Sequence, residues 1–343
     1  MSTGSGSTGS ATKADGGPGS TRPSRPPVES GPANRLADFD PELAGLVADA
    51  QCFAEHGTVP AGWTLEQTGT KVGPRSFVFN VPHRDRDAIL KIHLDPSRYA
   101  AKEARALHLL SGDPGFPRIL HQRLGPPPTL TIAYRLPGAT LDRLPPSAVM
   151  AALPAVIGTL RRVHAVTLDF YGELVGDFAS APNSARLDRY ITANRDYWAR
   201  NIGQWSALPG AAASAARISS LRPPAPCLAD RPTLIHGDLT LDNIVAADTG
   251  VGIIDFDGAL SMFPEYDLAT LFWSLTTSDV PLGLPDFCRM VSEVYGRPPR
   301  LVEDAIRAAC WLPIVRSLNL CRRAEDPVRF ADLWLTAAAF LES

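Results

Sequence analysis

Between Pro232 and Leu260 the chain reads PTLIHGDLTLDNIVAADTGVGIIDFDGAL, and no other stretch limits its possible folds as much. Two apolar runs within it, Thr233–Ile235 and Gly252–Phe256, have the length and side chains of short buried strands. Around them stand Asp238, Asp242, Asp255 and Asp257, with His236 and Asn243. A carboxylate beside a buried strand is costly unless it meets a cation, a metal or several hydrogen bonds. If the second run is a strand, Val251, Ile253 and Asp255 share one of its faces, which puts an acid at the strand end. The stretch therefore calls for a fold in which strand ends open onto a polar cleft.

The rest of the chain is large enough to enclose one. Its 343 residues allow one large or two modest domains, and 45% hydrophobic with 20% charged residues is ordinary for a soluble globular protein. A net charge of −3 offers no basic field to a nucleic acid or an anionic membrane surface. No apolar run has the length of a membrane span. The five cysteines, Cys52, Cys227, Cys288, Cys310 and Cys321, are odd in number and include no CxxC pair. Reduced, mostly buried thiols in a cytoplasmic protein are expected, rather than a disulfide frame or a zinc site.

Residues 1–34 are almost all Gly, Ser, Thr, Pro and Ala, too poor in apolar side chains to offset their ordering entropy, and they lack the apolar core of a signal peptide. A disordered tail is expected there. Asp40-Pro41-Glu42 then supplies an N-cap, a first-turn proline and a first-turn acid for a helix carrying Leu43, Leu46 and Val47. Strand-like pieces follow: Trp63–Glu66, a hairpin of QTGTKVGPRSFVFNV with DAILKIHL, and PTLTIAYRLPGATL. DPSRYAAKEARALHLL, with start signals at Asp95 and Pro96, reads as the one helix among them. From Pro146 onward the spacing is helical over 148–165, 185–205, 211–220, 287–295, 301–320 and 328–341. The expected fold is α+β and bilobal: a small β-rich N-lobe with one main helix, residues 35–136, and a larger, mostly helical C-lobe, residues 137–343. Tyr134 to Gly138 would link them, and the cleft between is the natural place for a small-molecule site.

Two charged side chains in the small lobe stand out. In AILKIHL, Ile89, Lys91 and His93 alternate against Leu90, Ile92 and Leu94. Taken alone, Lys91 is as readily a solvated mid-strand lysine as a buried one. Glu103 shares a helical stripe with Tyr99, Leu107 and Leu110, while Lys102 and Arg105 point elsewhere. Burying Glu103 requires a cation, and Lys91, one strand earlier, could supply it. The turn from Gly69 to Ser76 adds backbone N–H groups that could wrap phosphate, although most glycine-rich hairpins are only turns.

In HGDLTLDN, Asp238 and Asn243 are five positions apart, and Asp255 closes VGIID. One carboxylate and one amide oxygen on neighbouring segments suit a hard cation such as magnesium, which takes the rest of its shell from water and phosphates. Asp238 is then left to accept a proton from an attacking hydroxyl.

HGDLTLDN followed by IIDFD resembles the catalytic and metal-binding motifs of the aminoglycoside phosphotransferase family, which shares the protein-kinase-like fold. AILKIHL, AKEARALHLL, TIAYRLPGATL, LRRVHAV and PEYDLATLFWSL resemble further family segments in the same order, so the likeness covers most of the chain after the tail. The resemblance implies ATP as phosphate donor, with GTP left open, and Mg²⁺ as cofactor. It makes Asp238 the catalytic base and Asn243 and Asp255 the magnesium ligands. It assigns Lys91 to the nucleotide phosphates with Glu103 as its partner, and gives Tyr134 to Leu136 backbone groups for adenine. His236 would shape the catalytic loop and Asp267 brace it. Gly73 and Ser76 would belong to the phosphate-covering loop, where GTKVGPRS departs from the family pattern. Asp257 stands where a protein kinase has a glycine.

The implied activity is phosphoryl transfer to a hydroxyl of a small molecule, with antibiotic resistance or self-protection as a family-level role. A monomer or weak dimer is expected. A non-catalytic nucleotide-binding regulator on the same fold is the alternative; it should lack one of Lys91, Asp238, Asn243 or Asp255, and all four are present. A metal-dependent hydrolase would need clustered histidines, and the chain has no HxH or HExxH. A protein kinase would need a long segment between Asp255 and an APE motif, yet PEYDLA already begins at Pro264. From Asp286 onward eight acids face eight arginines, so no trap for a polycation is evident. An antibiotic, sugar, nucleoside or metabolite fits as acceptor.

Overall fold

The computed structural model describes residues 40–66, 76–93, 98–125, 128–175, 187–206, 210–220 and 226–342. The expected tail, Gly73 with most of its turn, and the start signals Asp95 and Pro96 lie outside them.

Helix α1 (Pro41–His56) starts as its sequence requires: Asp40 accepts the N–H groups of Glu42 and Leu43, and Gly57 ends the helix in the left-handed region. It covers one face of a five-stranded antiparallel sheet built from β1 (Thr64–Leu65), β2 (Ser76–His83), β3 (Arg86–His93), β4 (Ile119–Arg123) and β5 (Thr129–Tyr134) in the order β1-β2-β3-β5-β4. Leu46 and Phe53 of α1 pack with Phe79, Leu90 and Ile132 in a core of their own. Helix α2 (Arg98–Leu109) lies between β3 and β4 in the chain. Strand β4 was not legible in ILHQR, whose polar residues His121 and Gln122 are nonetheless buried.

After the link, β6 (Ala139–Thr140) pairs with β9 (Ile244–Ala247), which pairs with β10 (Gly250–Ile253). A third sheet has the order β7-β11-β8, from β7 (Gly172–Glu173), β8 (Thr233–Ile235) and β11 (Leu260–Met262). Around them stand α3 (Pro146–His164), α4 (Leu187–Gly203), α5 (Ala211–Ser220), α6 (Glu265–Thr276), α7 (Leu284–Tyr295), α8 (Pro299–Ala309), α9 (Trp311–Arg323) and α10 (Pro327–Glu342). They enclose the larger core. No helix among the described residues is long and apolar enough to cross a membrane.

Two expectations are corrected here. The helical run 301–320 is two helices, broken at Cys310. Pro313 lacks the N–H that would have bonded Ala309, so the ladder cannot run through. The strand run 252–256 stops at Ile253, because Asp255 takes left-handed backbone angles of φ 63°, ψ 61° and residues 256–258 form a 3₁₀ turn.

Gly138 fixes the link. Its φ is 116°, and a Cβ there would lie 2.1 Å from the Ala246 carbonyl oxygen. Gly138→Ala is expected to destabilise the protein by more than about 1 kcal/mol in urea unfolding, whereas Gly45→Ala, which has open space, should not.

Candidate active site

Strand β3 sorts its side chains as alternation demands. Leu90 and Ile92 enter the core under α1, while Ile89 and Lys91 line the cleft between the lobes. Lys91 is only 8% exposed, so the solvated reading fails. Its Nζ lies 3.3 Å from Glu103 Oε2 and 2.6 Å from Asp255 Oδ1. One cation thus serves two carboxylates, one from each lobe. Burial works against the charge of Lys91, but Asp255 and Glu103 more than offset it and raise its pKa. Burial lifts Glu103 to about 7, against the pull of Lys91. Asp255 is disfavoured by burial too, yet Lys91 holds its carboxyl below the ordinary range. His93, buried and repelled by Lys91, is pushed down to about 3, so it faces Glu103 as a neutral ring.

The loop after β8 is held from below. Asp267, fully buried on α6, accepts the N–H of His236 at 2.7 Å and of Gly237 at 2.8 Å. Its Oδ2 is also 3.1 Å from His164 Nε2. The His236 ring joins the two halves of the motif: Nδ1 accepts the Asp238 N–H at 3.2 Å, so Nε2 carries the hydrogen donated to the Ile254 carbonyl at 2.7 Å. Phe256 packs edge-on to that ring. Gly237 has φ 76°, and a Cβ would lie 2.2 Å from the Gly258 carbonyl oxygen, so only glycine lets these segments approach. Asn243 donates Nδ2 to the Asp238 carbonyl at 2.8 Å, which leaves Oδ1 as the group it offers a ligand.

Asp255 reaches Lys91 because of its backbone. A left-handed non-glycine residue is uncommon and tends to mark a functional turn. The Ile254 N–H donates to the Asn243 carbonyl at 3.0 Å, so Asn243 and Asp255 are held at one end of the cleft. Among the described residues no three His, Cys, Asp or Glu side chains converge on a metal. One amide oxygen and one carboxylate fit magnesium, which completes its shell from phosphates and water.

The cleft has a volume of about 560 Å³, and its lining includes Lys91, Glu103, Tyr134, Leu136, Asn243 and Asp255. The Tyr134 N–H is given to Arg118 and the Arg135 N–H to Asp87, so those donors are already engaged. Ser76 is buried opposite His93 in the ladder and is not among the lining residues. Asp238 is not among them either. It faces α9, where Arg316 Nη2 lies 2.9 Å from its Oδ2 and Arg316 Nη1 donates to the Gly237 carbonyl. Sequence reading missed Arg316. The available signal was an arginine between Val315 and Leu318 on a helix whose other face is apolar.

A small β-sheet lobe with a lysine–glutamate pair, set over a helical lobe with a braced aspartate loop and a strand-end aspartate, defines a protein-kinase-like phosphotransferase. A family model described as the phosphotransferase enzyme family (APH) matches residues 68–328, and the chain belongs to that family. No curated protein matches it significantly by sequence. Solved structures show the same fold. A thermostable mutant of aminoglycoside phosphotransferase APH(4)-Ia, in ternary complex with ADP and hygromycin B, is 16% identical with a TM-score of 0.58, over 86% of this chain and 97% of that one. Choline kinase from Cryptosporidium parvum is 13% identical with a TM-score of 0.58, over 88% and 95%. A GDP complex of an aminoglycoside 2'-phosphotransferase of type IIIa is 15% identical with a TM-score of 0.52, over 86% and 96%.

Proposed function

We propose that this small-molecule phosphotransferase transfers the γ-phosphoryl group of ATP to a hydroxyl, with residues 35–136 binding nucleotide and 137–343 carrying the catalytic loop and acceptor site. The observation that carries the reading is the convergence of Lys91, Glu103, Asn243 and Asp255 on one cleft, with Asp238 beside it. Lys91 offsets phosphate charge and Glu103 keeps it in place. Tyr134 to Leu136 edge the adenine. Asn243 and Asp255 would hold magnesium, which when bound would neutralise charge on the phosphates. Asp238 orients the acceptor hydroxyl and takes its proton as the new O–P bond forms and the bond from the γ-phosphorus to the β,γ-bridging oxygen breaks, with ADP as the leaving group. Such transfer needs positioning and charge neutralisation more than covalent chemistry.

Arg316 bears on the acceptor. The Arg316 guanidinium is paired with Asp238 and so offsets the negative charge that a polycation would seek beside the base, and the C-terminal helices offer no excess of acids. The acceptor is therefore a hydroxylated compound less cationic than an aminoglycoside: a sugar, a nucleoside, a peptide antibiotic or a metabolite. Self-protection against such an antibiotic, inside the cytoplasm, fits this chemistry. The test is ATP consumption across a panel of neutral, anionic and polycationic hydroxylated compounds, with mass detection of the phosphorylated product. Transfer to a neutral or anionic member is expected. Preference for polycations would overturn the acceptor assignment. Tight Mg·ATP binding with no transfer to any member would leave a nucleotide-binding regulator instead.

A further inference from the structure

Glu173 lies outside the motifs that define the site, and Lys102, though it sits beside Glu103 in one of them, has no role there so far, yet both are among the most deeply buried charges of the described residues. Lys102, on α2, is 4% exposed and Glu173, on β7, is 7% exposed. Lys102 Nζ lies 3.0 Å from Glu173 Oε2, so a helix of the small lobe is tied to a strand of the large one. Two such charges are retained at a cost in desolvation, which makes a purely stabilising role a weak account of them.

Their neighbours supply a better one. Glu103, which meets Lys91, is the next residue along α2. Adjacent helical residues project about 100° apart, so one turn of α2 points Glu103 up to β3 and Lys102 down to β7. Strand β7 pairs with β11, where Leu260 stands opposite Glu173. On its other side Leu260 pairs with Ile235 of β8. Strand β8 leads directly into His236–Asp238, and β11 directly follows the Asp255–Gly258 turn. Helix α2 also packs on residues 256–258.

We propose that the Lys102–Glu173 ion pair makes α2 a strut between the Lys91 site and the sheet that carries both aspartate segments. Lys102 and Glu173 are positioning residues: they hold Glu103 against Lys91 in the absence of any ligand. The proposal rests on the phosphotransferase reading for its effect on nucleotide binding, but not for the tie itself.

Two measurements on the full chain separate these. Calorimetry with Mg·AMP-PNP should show Lys102→Met and Glu173→Gln binding roughly three- to thirtyfold more weakly than the parent, the range for removing a supporting contact in a coupled network. Lys102→Arg, which keeps the ion pair, should bind close to the parent. Hydrogen–deuterium exchange without nucleotide should show α2 losing protection in Lys102→Met and keeping it in Lys102→Arg. A melting curve checks folding, and Glu173→Gln, nearly isosteric, serves if Lys102→Met does not fold. A folded Lys102→Met or Glu173→Gln variant with parental affinity and parental α2 exchange overturns the proposal. A parent that binds neither Mg·AMP-PNP nor Mg·GMP-PNP overturns the proposed nucleotide site, and parental α2 exchange in the same variants would then overturn the tie as well.

Discussion

Asp238→Asn is expected to bind Mg·ATP nearly as well as the parent and to transfer phosphate about 100- to 10,000-fold more slowly, the usual worth of a positioned general base. The structure makes this substitution a clean probe. Asparagine keeps the shape and one oxygen for Arg316, and the loop is held by backbone bonds that do not involve the Asp238 carboxylate. Asp238 also lies outside the lining of the main cleft, so nucleotide affinity has no direct reason to change. Single-turnover transfer and calorimetric ATP affinity, measured on the same protein, separate the two effects. Loss of magnesium-dependent binding in Asp238→Asn would show that the base has been misassigned.

Asp255→Asn is expected to do the opposite in binding: affinity for Mg·ATP should fall at least about tenfold, the scale on which metal sites respond to disturbed ligands, and transfer should fall with it. Binding measured with and without magnesium should converge in this variant, because the lost interaction is the one made through the ion. The parent structure adds a second consequence. Asp255 holds Lys91 at 2.6 Å, and without its charge Lys91 is left to Glu103 at 3.3 Å. Asn243→Ala should resemble Asp255→Asn more mildly, since a neutral amide oxygen is partly replaced by water. Unchanged magnesium dependence in Asp255→Asn would remove it from the metal site.

Much of the site was legible because its signals are local. Lys91 on an alternating strand and Glu103 on an apolar stripe are each readable within one element, and a buried charge of either sign requires the other. HGDLTLDN keeps Asp238 and Asn243 within one loop, where the Asn243 side chain bonds the Asp238 carbonyl. The caps of α1 were equally local, and Asp40 and Gly57 act where their residue types favour them.

Other features had no local signal. Strands β7 and β11 are two and three residues long, too short for any period to show, and they exist because β8 lies beside β11 to pair with it. The left-handed turn at Asp255 contradicts the strand pattern of VGIID, since an aspartate adopts that backbone only where its surroundings hold it there. Arg316 and Asp238 are far apart in the chain, as are Lys102 and Glu173, and neither spacing carries information about contact.

Sequence alone therefore determined the elements whose side chains repeat with a period, the caps that end them, and the aspartates that could not be ordinary surface acids. Those follow from hydrogen bonding and burial within a few residues. Tertiary structure alone decided which charges meet. It set Lys91 between Glu103 and Asp255, gave Asp238 an arginine neighbour, and tied α2 to the sheet below it. The physical reason is that a buried charge fixes the need for a partner but not its identity. That choice is made when packing of the two cores brings particular elements within reach of one another.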